Sequence, residues 1–225
     1  MPSVLFILTS CNKTLTGKPT GWYLPEAAHP YYVLAPHATI DFASPAGPNP
    51  PLDHGSAEAF KGDKESVQFL KDETVSQKLA NAKKLSEVNL KDYDAIFYVG
   101  GHGPVIDLSA DELNAKLASD AWKEGKVVSA VCHGPAALVQ AVDASGKSIF
   151  SGRNFTGFSN NEEEIVGMVQ EIPFLLEDKI KALGGQYEKA SDPWGPKVVV
   201  DGKLITGQNP ASAACVGEAI LKAIQ

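Results

Sequence analysis

An α/β sandwich with a mostly parallel central sheet is the fold this sequence predicts, and three observations carry that expectation. Short, wholly apolar runs rich in β-branched residues alternate with longer stretches of helical periodicity. The runs lack the polar/apolar alternation of a half-exposed sheet, so both faces of each strand should be covered by helices. Two of the runs end in turns built from small residues and histidine, GGHG and CHGP, where a strand gives way to a helix.

The first strand is VLFIL, residues 4–8. The opening segment is apolar only over that run and has no basic flank, which is too short for a signal sequence or a membrane span. Residues 25–36 read as a helix with Pro25 in the favoured first turn and Pro30 limiting its regularity. TIDFASP supplies the second strand, with Ile40 and Phe42 leading into a Pro/Gly loop. The stretch at about 48–90 is polar, weakly helical and too long for an ordinary connection. It reads equally as a lid insertion over a site and as a solvated excursion. DAIFYVGG is the third strand. SADELNAKLASDAWKEG then forms a helix with Ser109 as cap, Glu112 three residues on, Leu113, Leu117 and Ala121 at helical spacing, and Gly125 as stop. KVVSAV is the fourth strand. KVVVDGKLITG places Asp201-Gly202 between two β-rich runs and predicts a hairpin, and PASAACVGEAILKAI closes the chain with a helix that includes Ala214, Ile220 and Leu221. With 225 residues, 44% of them hydrophobic, one core suffices, so residues 1–225 are expected to form a single domain.

Composition narrows the function classes. The formal net charge is -7 and no basic patch stands out, which argues against a nucleic-acid partner. Cys11, Cys132 and Cys215 are odd in number, far apart and without a C-x-x-C pair. Reduced thiols in the cytoplasm fit this better than disulfides, and no membrane association is expected. The glycine pattern lacks G-x-G-x-x-G, so a dinucleotide is poorly supported. The five histidines, His29, His37, His54, His102 and His133, include no H-E-x-x-H pair, so neither a metal nor another cofactor is expected.

The chemistry concentrates in VVSAVCHGPAAL. In a parallel sheet the strand carboxyl ends and following helix N-termini face one side, where ligands bind, and Cys132 lies at that edge. A side chain on a sharp strand-to-helix turn is held out of the core, near N–H groups without intrahelical partners. Those groups should favour a thiolate and an oxyanion beside it, with Gly134 permitting the tight approach. Cys11 and Cys215 are instead expected to be small buried hydrophobes. His133 converges on Cys132 only if the elbow turns the chain. Gly101 and His102 in YVGGHG end the neighbouring strand, and Gly101, His102 and Gly134 are the candidate oxyanion and substrate-binding residues, the Gly101 N–H serving as an oxyanion donor. Glu26 sits among Trp22, Tyr23, Leu24, Tyr31 and Tyr32, a setting in which a carboxylic acid keeps its proton to higher pH, although a first-turn glutamate can serve only the helix dipole. Glu162, Glu163 and Glu164 follow the candidate caps Asn160 and Asn161, and one of them could orient His133. Trp194 in DPWGPK reads as core or interface rather than a ligand contact.

AVCHGPAAL together with YVGGHG, FASPAGPNPPLD, FTGFSNNEEE and ITGQNPASA resembles the DJ-1/PfpI superfamily, with its class I glutamine amidotransferase-like (flavodoxin-like) fold. Within it, the chain resembles the glutathione-independent glyoxalase branch, which includes fungal heat-shock-protein-thirty-one-like proteins. The resemblance implies Cys132 as nucleophile with His133 beside it, Glu26 as proton carrier and Glu163 as the third member, with Glu164 as a register alternative. It also implies a cofactor-free conversion of a small 2-oxoaldehyde such as methylglyoxal to D-lactate, or glyoxal to glycolate, by an enzyme of the glyoxalase III (D-lactate dehydratase) type. A homodimer and a cytoplasmic or nuclear location are implied by the same resemblance. Rival expectations are a stress holdase for unfolded clients, a peptidase or deglycase using the same thiol, and an oxidation sensor.

Overall fold

The structure, a computed structural model, describes residues 1–225. The chain forms β1 (Ser3–Ile7), α1 (Leu24–Leu34), β2 (Thr39–Ser44), α2 (His54–Ala59), α3 (Lys64–Lys71), α4 (Glu73–Ala80), β3 (Lys83–Lys84), β4 (Ala95–Tyr98) and α5 (Gly103–Ile106). It continues with α6 (Glu112–Lys123), β5 (Val127–Val131), β6 (Asn154–Phe155), α7 (Asn160–Ile165), α8 (Leu176–Ala182), β7 (Gln186–Tyr187), β8 (Val198–Asp201), β9 (Leu204–Gly207) and α9 (Ala213–Ile224).

Seven strands make one sheet in the order β3-β2-β1-β4-β5-β9-β8, and every pairing is parallel except β8 with β9. The predicted mostly parallel α/β sandwich is therefore the observed fold. The predicted edge hairpin forms, but its two-residue loop lies one residue later than expected, at Gly202 and Lys203 with Gly202 at φ 60, because Asp201 still pairs with Leu204 at the end of β8. Strands β1, β4 and β5 run through the centre with every residue from Val4 to Ile7, Ala95 to Tyr98 and Val127 to Val131 buried, because helices cover both faces. On one face α1 packs on α9 and α3, while α6 packs on β4 and β5. The chain leaves β1 for β2 on one side and later reaches β4 on the other. That reversal opens a crevice at the carboxyl ends of β1 and β4, where open α/β sheets bind ligands.

Several local expectations need correction. Helix α6 is capped by Asp111, whose side chain accepts the Asn114 N–H, whereas the Ser109 hydroxyl donates to the Val105 carbonyl. The later start turns Leu113 to solvent and Asn114 inward, where its amide bonds the Leu108 and Ala137 carbonyls. Residues 48–90 are not a loose excursion. They fold into α2, α3, α4 and β3, and Phe69 plugs the core against Trp22, Tyr31 and Phe42. Cys215 is exposed on α9 and Cys11 half-buried, so neither is the core hydrophobe expected of it. No helix is long and apolar enough to cross a membrane.

The loop after β1 is tied down by one carboxylate. Glu171 accepts hydrogen bonds from the Thr14 and Thr16 hydroxyls (2.5 and 2.6 Å) and pairs with Lys18 (2.8 Å). Lys18 and the two hydroxyls hold its carboxyl down to about 2. An ordinary glutamate titrates near ~4.3, so this depressed group stabilises the fold fully above that pH and loses its effect as pH falls toward 2. The melting-temperature advantage of the wild type over Glu171→Gln is expected to be constant above about pH 5 and to shrink on acidification. A difference that ignores pH would show that the ionised clamp contributes nothing.

Candidate active site

Strand β5 ends at Val131, and Cys132 turns the chain with φ 59, a left-handed conformation that is rare and strained for a non-glycine residue. Its N–H is held by the Gly207 carbonyl (2.9 Å), and its carbonyl accepts the Phe158 N–H (2.9 Å). The strain is thus overdetermined from both sides, as at a nucleophile elbow. Beyond the elbow the chain makes a five-residue 3₁₀ turn, Gly134–Leu138, rather than the expected α-helix. The dipole available to the thiol is correspondingly small.

The elbow brings His133 back onto Cys132, with Nδ1 3.3 Å from Sγ. On the far side of the ring, Nε2 lies 2.5 Å from Glu163 Oε2. His102 Nε2 meets the other oxygen of Glu163 at 2.7 Å, and the two imidazoles lie 4.2 Å apart. One carboxylate therefore orients two histidines. Burial alone would raise the Glu163 carboxyl, but His133 and His102 outweigh it and hold it well below the usual range. Burial pushes His133 down despite Glu163, which keeps the imidazole neutral near pH 7. With Nε2–H donated to the carboxylate, Nδ1 is left as the acceptor facing the thiol.

Glu163 occupies this place because Ser159, not Asn160 or Asn161, caps α7. The Ser159 hydroxyl accepts the Glu162 N–H while the Glu162 carboxylate reaches back to the Ser159 N–H, a capping box. That phase sends Glu163 to the histidines and leaves Glu164 exposed.

Glu26 comes from the first turn of α1 and is wholly buried against the thiol. The Cys132 thiol and the Gly100 N–H are the polar groups turned toward it, and neither completes a well-aligned hydrogen bond. Burial pushes the carboxyl well above its usual range. It also pushes the Cys132 thiol up, with the charge of Glu26 next, while the Gly101 N–H pulls the other way. This corrects the expectation of a thiol ionised by a helix terminus. Two negative charges cannot sit together in this pocket, so burial keeps both groups protonated and they titrate as a pair.

The cleft over the sulfur is small, about 50 Å³, and is lined by Tyr23, His102, His133, Phe158, Val166 and Trp194, with Gly101, Cys132 and Pro210 completing it. No Lys or Arg lines it. The Gly101 and His133 N–H groups make no backbone hydrogen bond and so remain available to an oxyanion, whereas Gly134 packs against the Tyr98 carbonyl and does not line the cleft. Nor does any residue of 48–90 line it, although Phe60 stands edge-on to Tyr23 at 6.0 Å. Two groups have ligand atoms close enough to hold a metal ion, His102 with His133 and Glu163, and His29 with Asp63 and Glu65. In the first, both histidines already spend Nε2 on Glu163. Sequence reasoning missed Tyr23, Phe158, Val166 and Pro210 as lining residues and assigned Trp194 elsewhere; it is 41% exposed.

Gly100 is the most constrained point of the site. A Cβ there would lie 2.2 Å from Glu26 Oε2, 2.7 Å from the Val131 carbonyl and 2.8 Å from Cys132 Cβ. Gly100→Ala is expected to cost about 1–3 kcal/mol through overpacking. That corresponds to a melting temperature roughly 3–10 °C lower, with impaired turnover, by calorimetry and assay. An unchanged melting temperature would show that the carboxyl moves aside freely.

A parallel sheet with a strained thiol at its elbow, backed by histidine and carboxylate, defines an α/β protein of the nucleophile-elbow class. The model of the DJ-1/PfpI family matches residues 26–223, and the chain belongs to that family. Among curated relatives, the glutathione-independent glyoxalase HSP31 of Saccharomyces cerevisiae is 34% identical, covering 93% of this chain and 92% of the relative. Glyoxalase 3 of Candida albicans is 33% identical, covering 100% and 99%. Among solved structures, Francisella tularensis Rapid Encystment Protein 24 KDa superposes with a TM-score of 0.94 at 36% identity over 100% of both chains. Glyoxalase III from Candida albicans gives 0.91 at 31% identity, covering 100% of this chain and 98% of the other.

Proposed function

We propose that this chain is a glutathione-independent glyoxalase that converts methylglyoxal to D-lactate, and glyoxal to glycolate, without a cofactor. The observation that carries the reading is the buried Glu26 carboxyl against the Cys132 thiol, in a cleft without a cation. A small neutral dicarbonyl needs no counter-charge. It does need a nucleophile and an acid that exchanges protons near neutral pH.

In this reading the Cys132 sulfur adds to the aldehyde carbon. The C–S bond forms as the carbonyl π bond opens and the thiol proton passes to His133 Nδ1, and the oxyanion, held by the Gly101 and His133 N–H groups, takes the proton of Glu26. The Glu26 carboxylate so formed, or His133, takes the proton from C1 and delivers one to C2 through an enediol while the hydroxyl proton passes from the C1 oxygen to the C2 oxygen, which oxidises C1 to a thioester and reduces the ketone to an alcohol. Water then cleaves the thioester, releasing the hydroxy acid and the thiol. Methylglyoxal plus water balances lactic acid, so no external oxidant or reductant enters. Glu163 and His102 act through His133 by fixing its ring.

The test is the purified chain with methylglyoxal and no glutathione, its product assayed with D- and L-specific lactate enzymes. D-lactate in step with methylglyoxal consumption is expected. No lactate, with cleavage of peptides or glycated amines by the same preparation, would replace the reading with the peptidase or deglycase one. A cytoplasmic or nuclear homodimer belongs to the same proposal through the family resemblance. A second reading, a holdase for unfolded clients, draws on Ile165, Val166 and Trp194, all exposed.

A further inference from the structure

We propose that Trp194 is a specificity-determining wall of the cleft, built to favour 2-oxoaldehydes whose ketone carries an apolar or aromatic group. The proposal deepens the glyoxalase reading and rests on it for the identity of the substrate.

Its first support is backbone conformation. The Gly195 N–H closes a turn on the Asp192 carbonyl (3.2 Å), with Pro193 second and Trp194 third at φ 66. Turns with Pro second and positive φ third favour glycine there, and a bulky side chain in that region is a genuine outlier. Glycine stands one residue later, so the strain falls on the largest side chain of the segment. Strain of this kind persists only where surrounding structure enforces it, and it clusters at functional sites.

The enforcing structure is visible and buried. Glu162 is fully buried, and its Oε1 accepts the Trp194 N–H at 3.0 Å and the Asn209 amide at 2.9 Å. Its Oε2 takes the Gln208 amide (3.0 Å) and the Ser159 hydroxyl (2.7 Å), and the Asn209 amide also holds the Gly195 carbonyl at 2.8 Å. The neighbour of the histidine-orienting Glu163 thus ties this turn to the cap of α7.

That turn presents an aromatic face. The Trp194 ring lies 5.6 Å from Phe158, whose ring lies 4.4 Å from His133, so an apolar surface runs outward from the reacting centre. Val166 adds to it. A group attached to the ketone and pointing away from the sulfur would lie along this surface, with no cation to receive a carboxylate or phosphate.

The experiment compares kcat/KM for phenylglyoxal and glyoxal in wild type, Trp194→Gly, which suits the backbone, and Trp194→Phe, which keeps a ring. The ratio of phenylglyoxal to glyoxal is expected to fall about tenfold or more in Trp194→Gly, chiefly through KM, and to be largely retained in Trp194→Phe. Melting temperatures establish that each variant is folded. A ratio unchanged in Trp194→Gly overturns the proposal. A second arm needs no turnover: the rates at which phenacyl bromide and bromoacetone alkylate Cys132, read by peptide mass spectrometry. The phenyl preference should be lost in Trp194→Gly, and its persistence would also overturn the proposal. Should wild type convert neither aldehyde, the glyoxalase reading fails by itself, and the alkylation ratio still decides the role of Trp194.

Discussion

Replacing Cys132 by Ser is expected to lower lactate formation from methylglyoxal on the order of 10⁴-fold or more, because a serine hydroxyl beside a neutral histidine and a protonated acid is a far weaker nucleophile. The substitution is close to isosteric and leaves the Gly207 and Phe158 backbone contacts in place, so the fold should survive. Product assay and calorimetry on one preparation check both halves. The variant also separates the two proposed activities. Suppression of client aggregation that persists in Cys132→Ser would make the holdase property independent of the thiol. Lactate formation at wild-type rate would remove Cys132 from the chemistry altogether.

Glu26→Gln is the second large effect. General acid–base transfer contributes ~10² to 10⁴ in rate, and the amide cannot carry a proton between carbons, so kcat should fall by about that factor. The thiol should not become sluggish. The charge of Glu26 is among the causes that push Cys132 up, and glutamine removes it. Alkylation by iodoacetamide at pH 8 is therefore expected to be as fast as in wild type or faster while turnover collapses. Alkylation falling in parallel with turnover would instead assign Glu26 to ionising the sulfur.

The pH dependence has its origin in the same pair. A carboxyl raised by burial is a net cost to the folded state once the unfolded chain would ionise it, the opposite sign to Glu163, whose depressed carboxyl stabilises above its ordinary range. The site thus opposes one stabilising acid with one destabilising acid. Glu26→Gln should accordingly leave stability at neutral pH unharmed.

Local signals in the sequence are enough for the central strands, because runs such as VLFIL and DAIFYVGG are apolar throughout and only a sheet covered on both faces accommodates them. The elbow is legible too, since a cysteine and histidine between β-formers and G-P mark an abrupt turn. The meeting of Glu26 with Cys132 is not, because the apolar neighbours of Glu26 indicate burial but not against what. Nor is the choice among three successive glutamates, which depends on helix phase and hence on whether Ser159 or an asparagine caps α7. The protonation of the thiol escapes sequence reasoning because dipole arguments assume a helix of some length and exposure, whereas the chain supplies a short 3₁₀ turn and a buried sulfur. Trp194 leaves a usable clue, a proline followed by tryptophan where a turn prefers glycine.

The missing cation has a bearing on what leaves. In the proposed reaction a dicarbonyl arrives neutral and the hydroxy acid formed from it departs as an anion, created beside the ionised Glu163 and within aromatic walls. Electrostatics should therefore favour departure of the product once the thioester of that reaction opens. Accumulated lactate should be a feeble inhibitor, and the catalyst should keep working in a cell crowded with organic acids.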